Sequence, residues 1–273
     1  MSRGRHRVLP RALLYVTAVV LALWVLAPIY FITIGAFSTT DAVYGYPKQL
    51  VPRDVSTETL SFFLHSTGVV DSLKTSVYVA GITIVLALGI GTPAGYALAR
   101  FAFRAGDAFR LTVVATRAFP IVILSIPLAV MFIRWGLDDT VLGVAIVHTA
   151  LALPFVVLVT SSVFAGISLE LEEAAMTLGC NRAQAFRRIA LPLALPGLAA
   201  AAIFTFVVSW NEVFAASILT LQNRTLPAQV LAALDQSSLP YRFAGGFVLL
   251  APSLLVILVI RKYLFNMWGR VVT

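Results

Sequence analysis

The stretch Glu173–Pro196, EAAMTLGCNRAQAFRRIALPLALP, decides how the rest of this chain is read. It is polar and amphipathic, and it lies between long apolar segments. Ser168 is placed to cap a first helix, and Glu170, Glu172 and Glu173 occupy its opening turns, where the helix dipole favours negative charge. Leu171, Ala174, Ala175 and Leu178 fall at i, i+3, i+4 and i+7, which predicts one apolar face. Gly179 suits the left-handed position that ends a helix. Asn181 with Gln184 three residues on predicts a capping box for a second helix, whose last turn holds Arg187 and Arg188 and whose extension Pro192 limits. A loop that merely joined two spans would need none of this. The element over 168–192 is therefore expected to rest against a lipid leaflet or a protein. Its first helix has three Glu and no Lys or Arg, which suits an anionic leaflet poorly and a basic groove on a protein well.

The surroundings of that element are those of a polytopic membrane protein. Sixty per cent of the 273 residues are hydrophobic and 12% charged, and the mean hydropathy is +0.94, far outside the range of soluble domains. The net charge of +8 comes from 17 Arg and three Lys scattered between apolar runs, which marks topology rather than nucleic-acid binding. The single Cys180 has no internal partner for a disulfide. The run from Ala12 to Phe37 follows Arg3, Arg5, Arg7 and Arg11, exceeds a signal-peptide core and lacks a clear cleavage site, so it is expected to be an uncleaved first span.

A span needs about 20 apolar residues to cross about 30 Å of hydrocarbon. Six segments qualify: 12–36, 77–98, 111–133, 141–165, 193–219 and 243–261. The fold class expected is all-α, one transmembrane domain over 1–273 with six helices. Six crossings put both termini on one side. If that side is the cytoplasm, the inner segments hold 13 Lys and Arg, among them Arg100, Arg104, Arg110, Arg182, Arg261, Lys262 and Arg270. The outer segments hold six: Lys48, Arg53, Lys74, Arg134, Arg224 and Arg242. That imbalance orients the chain with its termini inside.

Within the spans, Gly91 and Gly95 form a GxxxG pair suited to close helix approach, with Pro93 inviting a kink between them. Charged or titratable groups in spans are functional candidates. Glu212 follows Trp210 and Asn211, so an aromatic face, an amide and a carboxylate share one turn, as sugar-binding sets do; an interhelical network, with Glu212 paired to Arg117, is the structural alternative. Arg117-Ala-Phe119-Pro120 is expected to break the third span beside a cavity. His148 reads as a hydrogen-bonded packing residue. The outer segment Leu221–Tyr241 is polar around a short apolar centre.

The segment from Glu173 through Gly179-Cys180, with Phe186-Arg-Arg-Ile-Ala-Leu-Pro-Leu after it, resembles the EAA loop of ABC importer permeases. Tyr96-Ala-Leu-Ala-Arg100-Phe, Leu137-Asp-Asp-Thr140 and Trp210-Asn-Glu212 extend the likeness over most of the chain. Together they resemble the smaller six-span permease of carbohydrate importers of the maltose-transporter type. In that family the loop is a coupling helix that docks into a cytoplasmic ATPase. The resemblance implies that Glu173 pairs with a basic residue there, that Ala174 and Ala175 permit close packing, that Gly179 makes the turn, and that Phe186 and Arg187 belong to the docking element. Leu178 departs from the Asp usual before the Gly.

The resemblance further implies a bacterial cytoplasmic membrane, a second homologous permease, two ATPase subunits that use ATP and Mg, and an extracytoplasmic substrate-binding lipoprotein. Gln222, Asn223 and Arg224 are candidates to touch that binding protein. Trp210, Asn211, Glu212, Arg117 and Phe119 are candidates to line the path of a sugar. The chain itself is expected to bind no cofactor or metal and to catalyse nothing. Its nearest approach to a phosphate-binding loop, Gly68-Val-Val-Asp-Ser-Leu-Lys-Thr, has Leu73 where the second Gly belongs. HExxH and GxSxG are absent. The alternative class is a secondary transporter coupled to an ion gradient through Glu212, His148 and Arg117.

Overall fold

The computed structural model describes residues 11–47, 50, 51, 54–101 and 106–268. The topology charges at Arg3, Arg5, Arg7, Lys48, Arg53, Arg104 and Arg270 lie outside them. In chain order the α-helices are α1 (Arg11–Ala36), α2 (Thr40–Tyr44), α3 (Glu58–His65), α4 (Val69–Arg100), α5 (Gly106–Ala115), α6 (Ile121–Trp135), α7 (Val141–Ala165), α8 (Leu169–Thr177), α9 (Arg182–Ala185), α10 (Leu191–Trp210), α11 (Phe214–Leu219), α12 (Leu226–Ala233) and α13 (Leu239–Trp268). Five helical segments are long and apolar enough to cross a membrane, and a sixth crossing is made if the bent pair α5–α6 counts as one. The fold is all-α, as expected.

The chain divides into two compact units. One comprises α1 to α3 with the first turns of α13, residues 236–248. Its contacts are aromatic: Phe37 meets Phe247 edge to face at 4.9 Å and Phe63 meets Tyr241 at 4.8 Å. Gly35 lets α1 approach the ring of Phe243, where any Cβ would collide.

The other unit holds everything from Ser66 to Asp235 and the remainder of α13. Its centre is the packing of α4 on α7, with α10 against both. The GxxxG pair explains the closeness. A Cβ on Gly95 would strike Thr160 and the backbone of Ser161, and one on Gly91 would strike Val156. Thr160 Oγ1 also donates to the Gly91 carbonyl at 3.0 Å. Small residues here replace the hydrophobic drive that lipid cannot supply.

Two predicted spans are interrupted. The third bends by 89° between α5 and α6, through a 3-10 turn at Thr116–Ala118 and the extended Phe119 that a following proline requires. The fifth ends at Trp210, and its apolar continuation is the separate α11. Pro192, expected to limit the second cytoplasmic helix, does not. A π turn over Phe186–Ala190 joins α9 to α10. Pro192 falls just after it, and the helix runs on from Arg182 to Trp210.

Candidate functional site

The element over 168–192 forms as the local signals require. Ser168 Oγ accepts from Glu170 N at 3.3 Å. Gly179 has φ +94°, and Gly179 N and Cys180 N donate to Met176 O and Ala175 O, each at 3.0 Å. That pair of bonds is a Schellman ending, available to glycine because it lacks Cβ. Asn181 and Gln184 exchange their two 2.9 Å bonds as a capping box.

The predicted apolar face of α8 points away from this chain. Ala175 is buried, but Leu171, Ala174 and Leu178 are exposed, Leu178 by 87%, and Glu173 is exposed beside them. Leu178 thus places an apolar group where the resembled family has a carboxylate. Of the other residues assigned to coupling, Gly179 and Arg187 are exposed. Phe186 instead packs inward, its ring 4.6 Å from Tyr96 and 5.9 Å from Phe164.

What holds α8 in place is Glu172, which by its position reads only as one of three acidic residues in the opening turns. Glu172 turns inward and its side chain is 3% exposed; that of Arg100, at the end of α4, is 8% exposed. Arg100 Nε and Nη2 each lie 2.7 Å from Glu172 Oε1. Tyr96 Oη donates to Oε2 at 2.5 Å, and Arg100 Nη2 donates to Ile167 O at 2.9 Å. The available signal was Tyr96 and Arg100 at i, i+4, which puts a phenol and a guanidinium on one face at the membrane boundary. Arg182 lies over the Phe101 ring at 5.5 Å.

Deeper in the unit, Trp210 is 2% exposed, stacks on Phe206 at 5.4 Å and donates to Leu249 O at 3.0 Å. Glu212 is buried. Its two oxygens accept from Ala215 N at 3.0 Å and Ala216 N at 3.1 Å, so the carboxylate opens α11. His148, fully buried, lies with Nε2 3.2 Å from Glu212 Oε2 and Nδ1 2.9 Å from Ser209 Oγ. The partner of Glu212 is therefore His148 and not Arg117. Of the Trp-Asn-Glu set only Asn211 is exposed.

Arg117 and Phe119 stand together at the break of the third span, both exposed, beside a cavity of about 540 Å³. Met131, Trp135, Ala150, Leu151 and Pro154 complete much of its wall. A mostly apolar hollow with one cation, Arg117, and three aromatic residues, Phe119, Phe132 and Trp135, has the makeup of a small-molecule site.

The turn before α7 grips the segment after α11. Asp139, at φ +49°, accepts from Leu221 N, Gln222 N and Asn223 N at 2.9, 3.0 and 2.9 Å. Asn223 Nδ2 donates back to Asp139 O at 2.8 Å. Burial alone would raise the Asp139 pKa, but the three N–H groups and the charge of Arg224 prevail and hold it below the ordinary range. Asn223 is thus committed to the loop itself, while the backbone order leaves the Gln222 side chain facing outward. The short apolar centre of the segment is α12, where Leu226 and Ala228 are fully buried. Among the described residues no cluster of His, Cys, Asp and Glu is arranged to hold a metal ion.

The chain is similar to known proteins over most of its length. The family model described as binding-protein-dependent transport system inner membrane component matches residues 91–266, more than half of the chain. The trehalose transport system permease protein of Mycobacterium tuberculosis is 30% identical over 78% of this chain and 80% of its own length. A diacetylchitobiose uptake system permease protein of Streptomyces coelicolor is 28% identical over 96% of this chain and 87% of its own. In structure, the chain superposes with a TM-score of 0.73 and 25% identity on a chain of a bacterial ABC transporter involved in the import of the acidic polysaccharide alginate, covering 96% of this chain and 98% of that one.

Proposed function

This chain belongs to the family of binding-protein-dependent transport system inner membrane components, and from that membership we propose that it is the smaller permease subunit of a carbohydrate ABC importer. The observation that carries the reading is the two-sidedness of α8. Glu172 and Ala175 fix the helix to the permease, while Glu173, Ala174 and Leu178 are exposed, their side chains without a hydrogen-bond or ion-pair partner among the described residues. A short helix held rigidly from behind and apolar in front is a built docking surface.

The rest of the assembly follows from the same reading. An ATPase subunit receives α8 and supplies the ATP and Mg chemistry, for which this chain has no residues of its own. A second, homologous permease brings a second ATPase subunit and completes the pathway. Both termini lie in the cytoplasm, in keeping with 13 inner against six outer basic residues. An extracytoplasmic binding protein meets the outer segment at Gln222 and Arg224, in the geometry set by Asp139 and Asn223. The solute is a sugar, supported by the relatives that carry trehalose and diacetylchitobiose, and its path runs past Arg117 and Phe119.

The test is purification of the tagged chain from its native membrane in mild detergent with its companions. An ATPase and a second permease are expected with the wild type, and the ATPase is expected to be lost from Glu173→Lys while the chain still inserts. A chain that emerges alone, and moves solute down an ion gradient in liposomes, would replace this reading with a secondary transporter.

A further inference from the structure

We propose that Arg100 and Glu172 form a rigid strut that carries movement of α8 into α4, so that α4 is the helix through which ATP-driven closure reaches the membrane. This rests on the importer reading above. The docking element has two covalent exits. At its start, Ser168 follows Ile167 directly after α7; at its end, α9 enters α10 through the π turn over Phe186–Ala190. A π turn is a local irregularity in the helical ladder and a frequent site of functional adjustment. The strut bypasses it.

The geometry of the strut suits load-bearing better than simple adhesion. Apolar packing of α8 on α4 would permit sliding. A guanidinium fork closed on a carboxylate fixes direction as well as distance. Arg100 reaches the carboxylate with two nitrogens and the Ile167 carbonyl with one of them, so α4, the end of α7 and α8 meet at one group. Tyr96, one turn earlier on α4, occupies the second carboxylate oxygen. Each residue of the link is buried or half-buried, where an ion pair is less screened than at the surface and its loss leaves an uncompensated charge.

The other end of the lever is equally constrained. α4 is 32 residues long, about 48 Å at 1.5 Å per residue. At Gly91 and Gly95 it is seated so closely on α7 that a methyl group would not fit. Ser76, seven turns from Arg100, accepts from Leu226 N of α12 at 2.8 Å. Displacement of Arg100 would therefore shift the helix that both the core and the outer segment are built upon. Glu173 and Glu172, adjacent in sequence, divide the work: one meets the partner and the other passes its motion on.

The experiment compares wild type, Glu172→Gln and Tyr96→Phe in the full importer reconstituted in liposomes, measuring ATPase recovered with the permease, ATP hydrolysed, and solute imported per ATP. In whatever complex assembles and hydrolyses ATP, solute per ATP is expected to fall about tenfold for Glu172→Gln and about threefold for Tyr96→Phe. A purely structural bond would lower recovered complex and leave the ratio unchanged in whatever assembles. An unchanged ratio in Glu172→Gln overturns the strut. Should that variant fail to assemble, an unchanged ratio in Tyr96→Phe overturns it instead. Wild-type permease that recovers no ATPase refutes the importer reading itself, a result distinct from either.

Discussion

His148 Nε2 lies 3.2 Å from Glu212 Oε2, an ion pair when the imidazole is protonated, between residues 64 apart in the chain. The same carboxylate accepts the first free N–H groups of α11, at Ala215 and Ala216. One side chain thus ties α7 to the break after α10 and starts the helix beyond it. The first consequence concerns stability. Glu212→Ala leaves two backbone donors and Nε2 of a buried imidazole unsatisfied, each at a cost of about 1–3 kcal/mol. Thermal unfolding of the purified complex is expected to move down sharply for Glu212→Ala and less for Glu212→Gln, which keeps an acceptor. In a double-mutant cycle with His148→Ala, the losses should fall short of additivity by about 1 kcal/mol or more. Additive losses would mean that the two residues do not act as a pair.

The second prediction separates two glycines of one helix. A Cβ on Gly95 meets Thr160 Oγ1 and the Ser161 backbone, whereas one on Gly89 meets nothing within 4 Å. Backbone cannot swing aside as a side-chain tip can. Gly95→Ala should destabilise the permease by about 1–3 kcal/mol through overpacking. Gly89→Ala should be neutral or slightly stabilising, since alanine is the better helix former. Chemical denaturation of the two variants side by side is the measurement; equal stability would remove the close α4–α7 approach from the account of the core.

How far such features are legible in the sequence depends on whether their cause is local. The α7 boundaries agree with the fourth predicted span because the apolar run ends where Thr140 caps and Gly166 closes. Gly179 and the Asn181–Gln184 box are equally local, each satisfied within a few residues. The Phe119-Pro120 pair announces its own break. By contrast, 193–219 reads as one continuous apolar span, because hydropathy does not see that Glu212 accepts from Ala215 and splits it. Arg100 is 72 residues from Glu172, and His148 has no carboxylate at helical spacing. Such pairings depend on which helices become neighbours. A carboxylate in the opening turn of α8 looks the same whether it faces an arginine behind or a partner in front, and so the sequence places the weight on Glu173 and passes over Glu172.

The loop held by Asp139 gives a prediction in pH. The Asp139 pKa is held low in the fold, against about 3.9 when unfolded. A lowered folded pKa means that the carboxylate's contribution is full above the unfolded value and is lost as pH falls through the folded one. Amide hydrogen exchange at Leu221, Gln222 and Asn223, corrected for its intrinsic rate, should therefore show constant protection from neutrality to about pH 4 and a loss only below it. Asp139→Asn preserves a residue type that tolerates φ +49° but accepts with a neutral amide. Its protection should be lower throughout and nearly independent of pH. A loss of wild-type protection already between pH 5 and 7 would assign the loop's order to some other group.

The cavity beside Arg117 offers the sharpest test of the pathway. Ala150 lies on its wall, on the exposed side of α7 and away from the buried α4 contact. A tryptophan there would extend into about 540 Å³ of space without entering the core, so the helix packing that supports α8 should survive. Ala150→Trp is expected to lower solute import about tenfold at saturating solute, an effect on turnover rather than on uniform binding, with ATPase recovery unchanged. Arg117→Gln, which removes the charge and leaves the space open, should instead act chiefly on the solute concentration that gives half-maximal import. Val85→Trp, on an exposed surface of α4, controls for added bulk. If Ala150→Trp imported at the wild-type rate, solute would have to pass elsewhere, and Arg117 and Phe119 would lose their place on its route. If Val85→Trp were equally impaired, the defect would lie in lipid or partner contact and not in the cavity.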